Sequence, residues 1–334
     1  MENFNKEVYL GICDTIMSKE PEFEAGAQKA VDRGFENIIL TAAGGTMARF
    51  FPVVWVMKKY SSVPVYLVNS ADIVVDTPNY LNEKSLVLSA SNSGNTKEIN
   101  EALKIARDRG AMILSVGDPA ECPLKDLSDH YVSAPINLGE DMYLTFFMQG
   151  LSVLYKKGDF PNYPVWVEEV KDLHKNMVPL KEKFDQVAPA IAKKIAKSPY
   201  VMMTSSGILE KISYWYTLCV LEEAQWIRSY PVSSQDFFHG ALEMLDEDQF
   251  LFIIKGVGKY RVLDERVENF AKKISNNVVV LDLADYELPG CDEFKDLRSV
   301  FVAASLLSDR LEYHIENVTG HSMAFRRYYR RMDY

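Results

Sequence analysis

The run Leu86-Val-Leu-Ser-Ala-Ser-Asn-Ser-Gly-Asn-Thr-Lys-Glu98 constrains this chain more than any other stretch. Leu86, Val87 and Leu88 form a short apolar run of the kind a central parallel strand carries. The run then breaks into small hydroxyl residues, Ser91, Ser93 and Thr96, around Gly94. Ile99, Ala102, Leu103 and Ala106 recur at helical spacing, so a helix opens directly after the hydroxyls. Free N–H groups at a helix start, beside several hydroxyls, suit an anionic group such as a phosphate. The same residues also suit a Ser/Asn/Gly turn with an ordinary Ser or Thr cap.

The rest of the chain repeats this plan. Asn37–Ala43 reads as a strand that ends in Gly44-Gly45-Thr46, followed by a helix from about Met47 to Lys59 with Pro52 inside it. Val63–Val68, Ser85–Ser89 and Met112–Val116 are further short apolar strands. Tyr143–Lys156 reads as a long helix, and Gly158–Pro164 as a linker. A long helical stretch follows from Val165 to about Lys197. Tyr200–Thr204 is then a strand that ends in Ser205-Ser206-Gly207 and runs into a helix over Ile208–Trp226. Phe250–Lys255 and Asn277–Leu283 complete the strands, and a last helix starts near Glu293. Such alternation predicts parallel sheets covered by helices, with ligands at the carboxyl ends of the strands. The expected division is a helical segment over 1–34, α/β units over 35–157 and 165–310, and a tail over 311–334.

Composition narrows the function. A chain of 334 residues holds two cores of this size. A net charge of −10 argues against nonspecific nucleic-acid binding, while a local loop can still hold a phosphate. No apolar run reaches the ~20 residues that span a bilayer. Residues 1–7 lack the basic and apolar regions of a signal peptide, and the four cysteines are scattered, so a cytoplasmic protein with reduced thiols is expected. The five histidines form no metal-binding spacing.

A second dense signal lies in Leu221–Glu243. Glu222 and Glu223 close a mostly apolar helix, and His239 precedes Gly240 in a loop. A carboxylate and a histidine so placed suit proton transfer, and equally suit a surface pair and a loop hydrogen bond.

The strand–Ser-x-Ser-Gly-x-Thr loop at 91–96 resembles the phosphosugar loop of the double-SIS (sugar isomerase) family. The Glu223…His239 stretch, sixteen residues apart, is similar to that family's catalytic segment. Within the family the chain resembles the bacterial deglycases of phosphorylated Amadori compounds, the fructoselysine and glucoselysine 6-phosphate deglycases. The resemblance implies an α/β fold of two tandem SIS subdomains, each a parallel sheet flanked by helices in a flavodoxin-like three-layer sandwich. It implies that Ser91, Asn92, Ser93 and Thr96 hold the phosphate, with Gly44, Gly45 and Thr46 along the sugar. Glu223 is then the base between C1 and C2, and His239 the acid/base that opens the ring. Ser205 and Ser206 become possible substrate contacts.

Gln235-Asp236 and Ala241 depart from the family's Gly-Glu and His-Gly-Pro, which bears on substrate detail. In the synthases of the family a tail lysine forms a Schiff base. Here no lysine follows Lys295, and Arg327 aligns with that position. The Arg326-Arg327-Tyr328 tail resembles that of the deglycases; it either folds over the site or stays a solvated basic end. The implied reaction is hydrolysis of a fructosyl- or glucosyl-amino acid 6-phosphate, lysine foremost, to glucose 6-phosphate and the free amino acid. It calls for no metal or redox cofactor. The family's shared sites imply a homodimer. The rival readings are an aldose–ketose isomerase, a glucosamine-6-phosphate deaminase, and a non-catalytic sugar-phosphate sensor.

Overall fold

The structure, a computed structural model, describes residues 1–136, 139–329 and 331–332. The chain forms two compact units, one of residues 5–174 and one of residues 1–4 with 175–334. Arg330, Asp333 and Tyr334 of the expected tail, and residues 137–138, lie outside the described residues.

The first unit opens with helices α1 (Lys6–Met17) and α2 (Glu20–Arg33). Then come β1 (Asn37–Ala42), α3 (Gly44–Tyr60), β2 (Val65–Asn69), α4 (Ser70–Val75), β3 (Ser85–Ala90), α5 (Lys97–Asp108) and β4 (Met112–Gly117). The short α6 (Pro123–Asp126), β5 (His130–Ser133) and the long α7 (Glu140–Lys157) follow, with α8 (Tyr163–Val170) near the end of the unit. The five strands are all parallel in the order β2-β1-β3-β4-β5. Every residue of β1, β3 and β4 is buried, which is why these strands read as unbroken apolar runs. On α5 the buried residues are Ile99, Ala102, Leu103 and Ala106, the face that the spacing predicts. Helix α7 is buried from Glu140 to Leu154 and packs against α2 and α3.

Helix α9 (Leu173–Phe184) crosses the boundary between the units, and α10 (Ala188–Lys197) leads into β6 (Val201–Ser205) and α11 (Glu210–Trp215). Next are β7 (Ser229–Ser233), β8 (Phe250–Lys255), α12 (Arg261–Ala271), β9 (Val278–Asp282), α13 (Lys295–Ser305) and α14 (Glu312–Thr319). Four parallel strands form the second sheet in the order β7-β6-β8-β9. The expected α/β class, two parallel sheets flanked by helices, is what the chain adopts.

Three local expectations change. The single long helix expected over 165–197 is three helices, α8, α9 and α10. Proline sits in the first turn of α8 and of α10 and inside α9, where it removes helix donors. Between α9 and α10, Asp185 accepts hydrogen bonds from Arg310 and His314 at 2.8 and 2.7 Å. The helix read over Ile208–Trp226 changes winding: a 3₁₀ turn at Gly207–Leu209, then α11, then a π-helix over Tyr216–Glu222. The tail expected from 311 begins later, because the last helix runs through a π segment (Leu306–Leu311) into α14 and stops at Gly320.

Candidate active site

In a doubly wound sheet, ligands bind where neighbouring strands send their helices to opposite faces. In the first unit that point lies between β1 and β3, which pair Thr41 with Ser89. Their helices, α3 and α5, start from Gly44-Gly45-Thr46 and from Ser91–Thr96. Ala43 and Thr96, the residues before the two helices, make no side-chain capping bond, so side chains leave the first N–H groups of both helices uncapped. Thr96 instead pairs its hydroxyl with that of Ser91 at 3.1 Å, and Ser91 Oγ accepts from the Gly94 N–H at 3.1 Å. Ser93 donates to Asn95 Oδ1 at 2.6 Å, and Asn92 is exposed. Gly94 has φ +65°, and a Cβ there would lie 2.4 Å from Cys122 Sγ, so only glycine closes this loop. Hydroxyls and open helix N–H groups thus gather at two adjacent strand ends, an arrangement that attracts anions.

The corresponding point of the second unit, between β6 and β8, is filled from inside. Asp264 is buried, accepts from Ser234 Oγ at 2.6 Å and from the Gly256 N–H at 3.1 Å, and burial pushes its carboxyl up. Ser205 donates to Leu209 O and to Ser213 Oγ, and Ser206 to Tyr260 O. Ser205 and Ser206 are both buried with partners in the fold, Ser205 in the turn into α11 and Ser206 at the start of α12.

Glu223 ends the π-helix, where its N–H bonds Leu218 O at 3.1 Å. A π turn inserts a residue into a helix and re-aims the side chains after it. The carboxylate is one-third exposed and accepts from Arg326 Nε at 2.8 Å. The tail that carries Arg326 is docked on the same segment. Gln225 donates to His321 O, Thr319 donates to Gln225 Oε1 at 2.8 Å, and the Trp226 ring meets His321 edge-on at 4.3 Å. Arg327 lies over the Trp226 ring at 3.9 Å. Trp226 has φ +58°, a conformation that costs a bulky residue about 1 kcal/mol and persists where packing holds it.

His239 closes a 3₁₀ turn over Phe237–His239. Phe237 and Ala241 on either side are buried in the core of Met202, Leu251 and Ile253, so the loop is pinned and the exposed imidazole stands out from it. Gln235 donates to Glu210 at 3.0 Å, and Ser233 donates its hydroxyl to Asp236 at 2.8 Å.

Residues 36–143 match the SIS domain family. Over 326 residues, 94% of this chain and 97% of the relative, it is 28% identical to fructosamine deglycase FrlB of Bacillus subtilis (strain 168). It is 22% identical to the fructoselysine 6-phosphate deglycase of Escherichia coli (strain K12), covering 85% of this chain and 83% of that one. A candidate phosphosugar isomerase from Bacillus subtilis has the same fold, with a TM-score of 0.89 at 24% identity, over 96% of this chain and 100% of that one.

Within the first unit, the residues expected at the phosphate, Ser91, Ser93 and Thr96, come together in one loop, and Gly44–Thr46 start the helix after the neighbouring strand. Glu223 and His239 sit in the second unit with no hydrogen bond to each other among the described residues. Arg327 stacks on Trp226, and its neighbour Arg326, which no spacing singled out, holds Glu223. The signal for it was the Arg-Arg doublet, but a doublet in an irregular tail does not say which arginine turns inward.

Proposed function

We propose that this protein is a deglycase that hydrolyses a fructosyl- or glucosyl-amino acid 6-phosphate to glucose 6-phosphate and the free amino acid, with lysine the foremost amine. The observation that carries this reading is the carboxylate of Glu223, set at the end of a π-helix and paired with Arg326 in a tail whose sequence holds no lysine after Lys295. An arginine stays protonated and forms no Schiff base, so the amine must arrive on the substrate. The deglycase names of the two relatives support the same reading.

Ser91, Asn92, Ser93, Thr96 and the start of α5 take the phosphate, and Gly44, Gly45 and Thr46 line the sugar. His239 helps open the ring. Glu223 removes a proton from C1 of the fructosyl adduct as the C2 oxygen gains one, giving an enaminol. A proton returned to C2 leaves an imine between C1 and nitrogen. Water adds to C1, the C–N bond breaks, and the amino acid leaves with the proton. The active form in this proposal is a homodimer in the cytoplasm, with His239 entering the site of the partner subunit.

The test follows glucose 6-phosphate release through a coupled dehydrogenase. The substrates are fructosyl-lysine 6-phosphate, glucosyl-lysine 6-phosphate and glucosamine 6-phosphate. Release from a lysine adduct is expected; turnover of glucosamine 6-phosphate alone would make the protein a deaminase. Glu223→Gln should lower kcat by about 10²–10⁴-fold, the usual contribution of a proton-transfer group, with sugar-phosphate binding kept.

A further inference from the structure

The guanidinium of Arg326 is only partly used. Its Nη1 donates to Met323 O at 2.6 Å and Phe325 O at 2.8 Å, which fixes the plane of the group against the turn of its own tail. Nε donates to one oxygen of Glu223 at 2.8 Å. Nη2 has no partner among the described residues, and the side chain remains 25% exposed. A guanidinium whose whole task was to clamp Glu223 would engage the carboxylate with two parallel bonds, the strong form of this pair. Here the clamp is single, and a donor beside it is open.

The substrate creates a need for that donor. An adduct of an amino acid carries a carboxylate, two bonds beyond the reacting nitrogen when the link is to the α-amine. A base at C1 and a substrate carboxylate near it would be two like charges in one site, and each raises the cost of ionising the other. A fixed cation between them removes that cost. We propose that Arg326 receives the carboxylate of the amino-acid part of the substrate through its open Nη2 edge while Nε stays on Glu223. Arg326 is then the residue that selects glycated amino acids over glycated neutral amines. The inference rests on the deglycase reading above. The docking of the tail on Gln225 and Trp226, independent of the ion pair, holds the guanidinium where the carboxylate would arrive.

Matched pairs test it: fructosyl-glycine 6-phosphate against fructosyl-glycinamide 6-phosphate, and ε-fructosyl-lysine 6-phosphate against its lysinamide counterpart. Each pair differs only in the charge of the carboxyl group. The wild-type enzyme should favour the acid over the amide in kcat/KM by about 10–100-fold in at least one pair, the range of a hydrogen bond to a charged group. Arg326→Gln should bring that ratio to near one, and Arg326→Lys should keep part of it. Both members are measured on one preparation, so loss of folded enzyme cancels in the ratio. A wild-type ratio near one in both pairs, or a ratio that survives Arg326→Gln, overturns the assignment and leaves the deglycase reading standing. Turnover of neither pair overturns both.

Discussion

At Gly94 a single backbone angle decides whether the anion loop closes. The positive φ and the Cys122 thiol 2.4 Å from a would-be Cβ act together. Gly94→Ala should lower unfolding stability by about 2–4 kcal/mol, combining left-handed strain with overpacking, as read from urea denaturation. Ser91→Ala removes an acceptor for the Gly94 N–H and the hydroxyl partner of Thr96. That change should cost about 1 kcal/mol of stability and raise KM for the phosphorylated substrate more than it lowers kcat. A rise in KM of less than twofold would remove Ser91 from the phosphate site. These residues were legible because a strand, a hydroxyl turn and a helix start are local patterns. Arg326 was not, since it meets Glu223 across more than a hundred residues of chain and its neighbour Arg327 fits the same spacing equally well.

Elements α1, α7 and α9 together carry a buried charge system. His174 of α9 is buried, bonds Asp141 of α7 at 2.8 Å, and contacts the Tyr9 carbonyl of α1 at 2.7 Å. The Tyr9 ring stacks on the imidazole at 4.2 Å, and its hydroxyl donates to Glu140. Burial works against a charged imidazole, but the Asp141 and Glu140 carboxylates outweigh it and hold the His174 pKa above its ordinary value. A raised folded-state pKa stabilises fully below the unfolded value, near pH 6.5, and that stability fades as pH rises through the folded value. Urea midpoints should therefore show a contribution at pH 6 that shrinks by pH 9. Asp141→Asn should lose that contribution, and parallel pH profiles for the two proteins would refute it. Elements were otherwise uneven in what their sequence disclosed. Fully buried strands announced themselves, whereas β7, with Pro231 inside it, is absent from the strands that the sequence suggests; a proline is tolerated there because β7 is an edge strand.

For the whole molecule, the proposed dimer with shared sites makes a direct prediction. Glu223→Gln and His239→Asn should each be inactive alone, and co-refolded mixtures should regain about a quarter of wild-type activity, since half the dimers are mixed and each mixed dimer has one intact site. Failure to regain activity in mixtures shown to be dimeric would place both residues of a site on one chain. By itself the sequence determined the parallel α/β plan of both units and the hydroxyl loop after β3, because buried runs, small-residue turns and helical spacing are set by neighbours in the chain. Tertiary structure decided that Asp264 takes up the second strand crevice, bonded to Ser234 and Gly256, and that Ser206 is held by the distant Tyr260 carbonyl. It also decided that an arginine of the tail, and which one, stands against Glu223. Those outcomes depend on hydrogen bonds and ion pairs between residues far apart in sequence, and no local pattern of side chains encodes which distant partner a polar group finds.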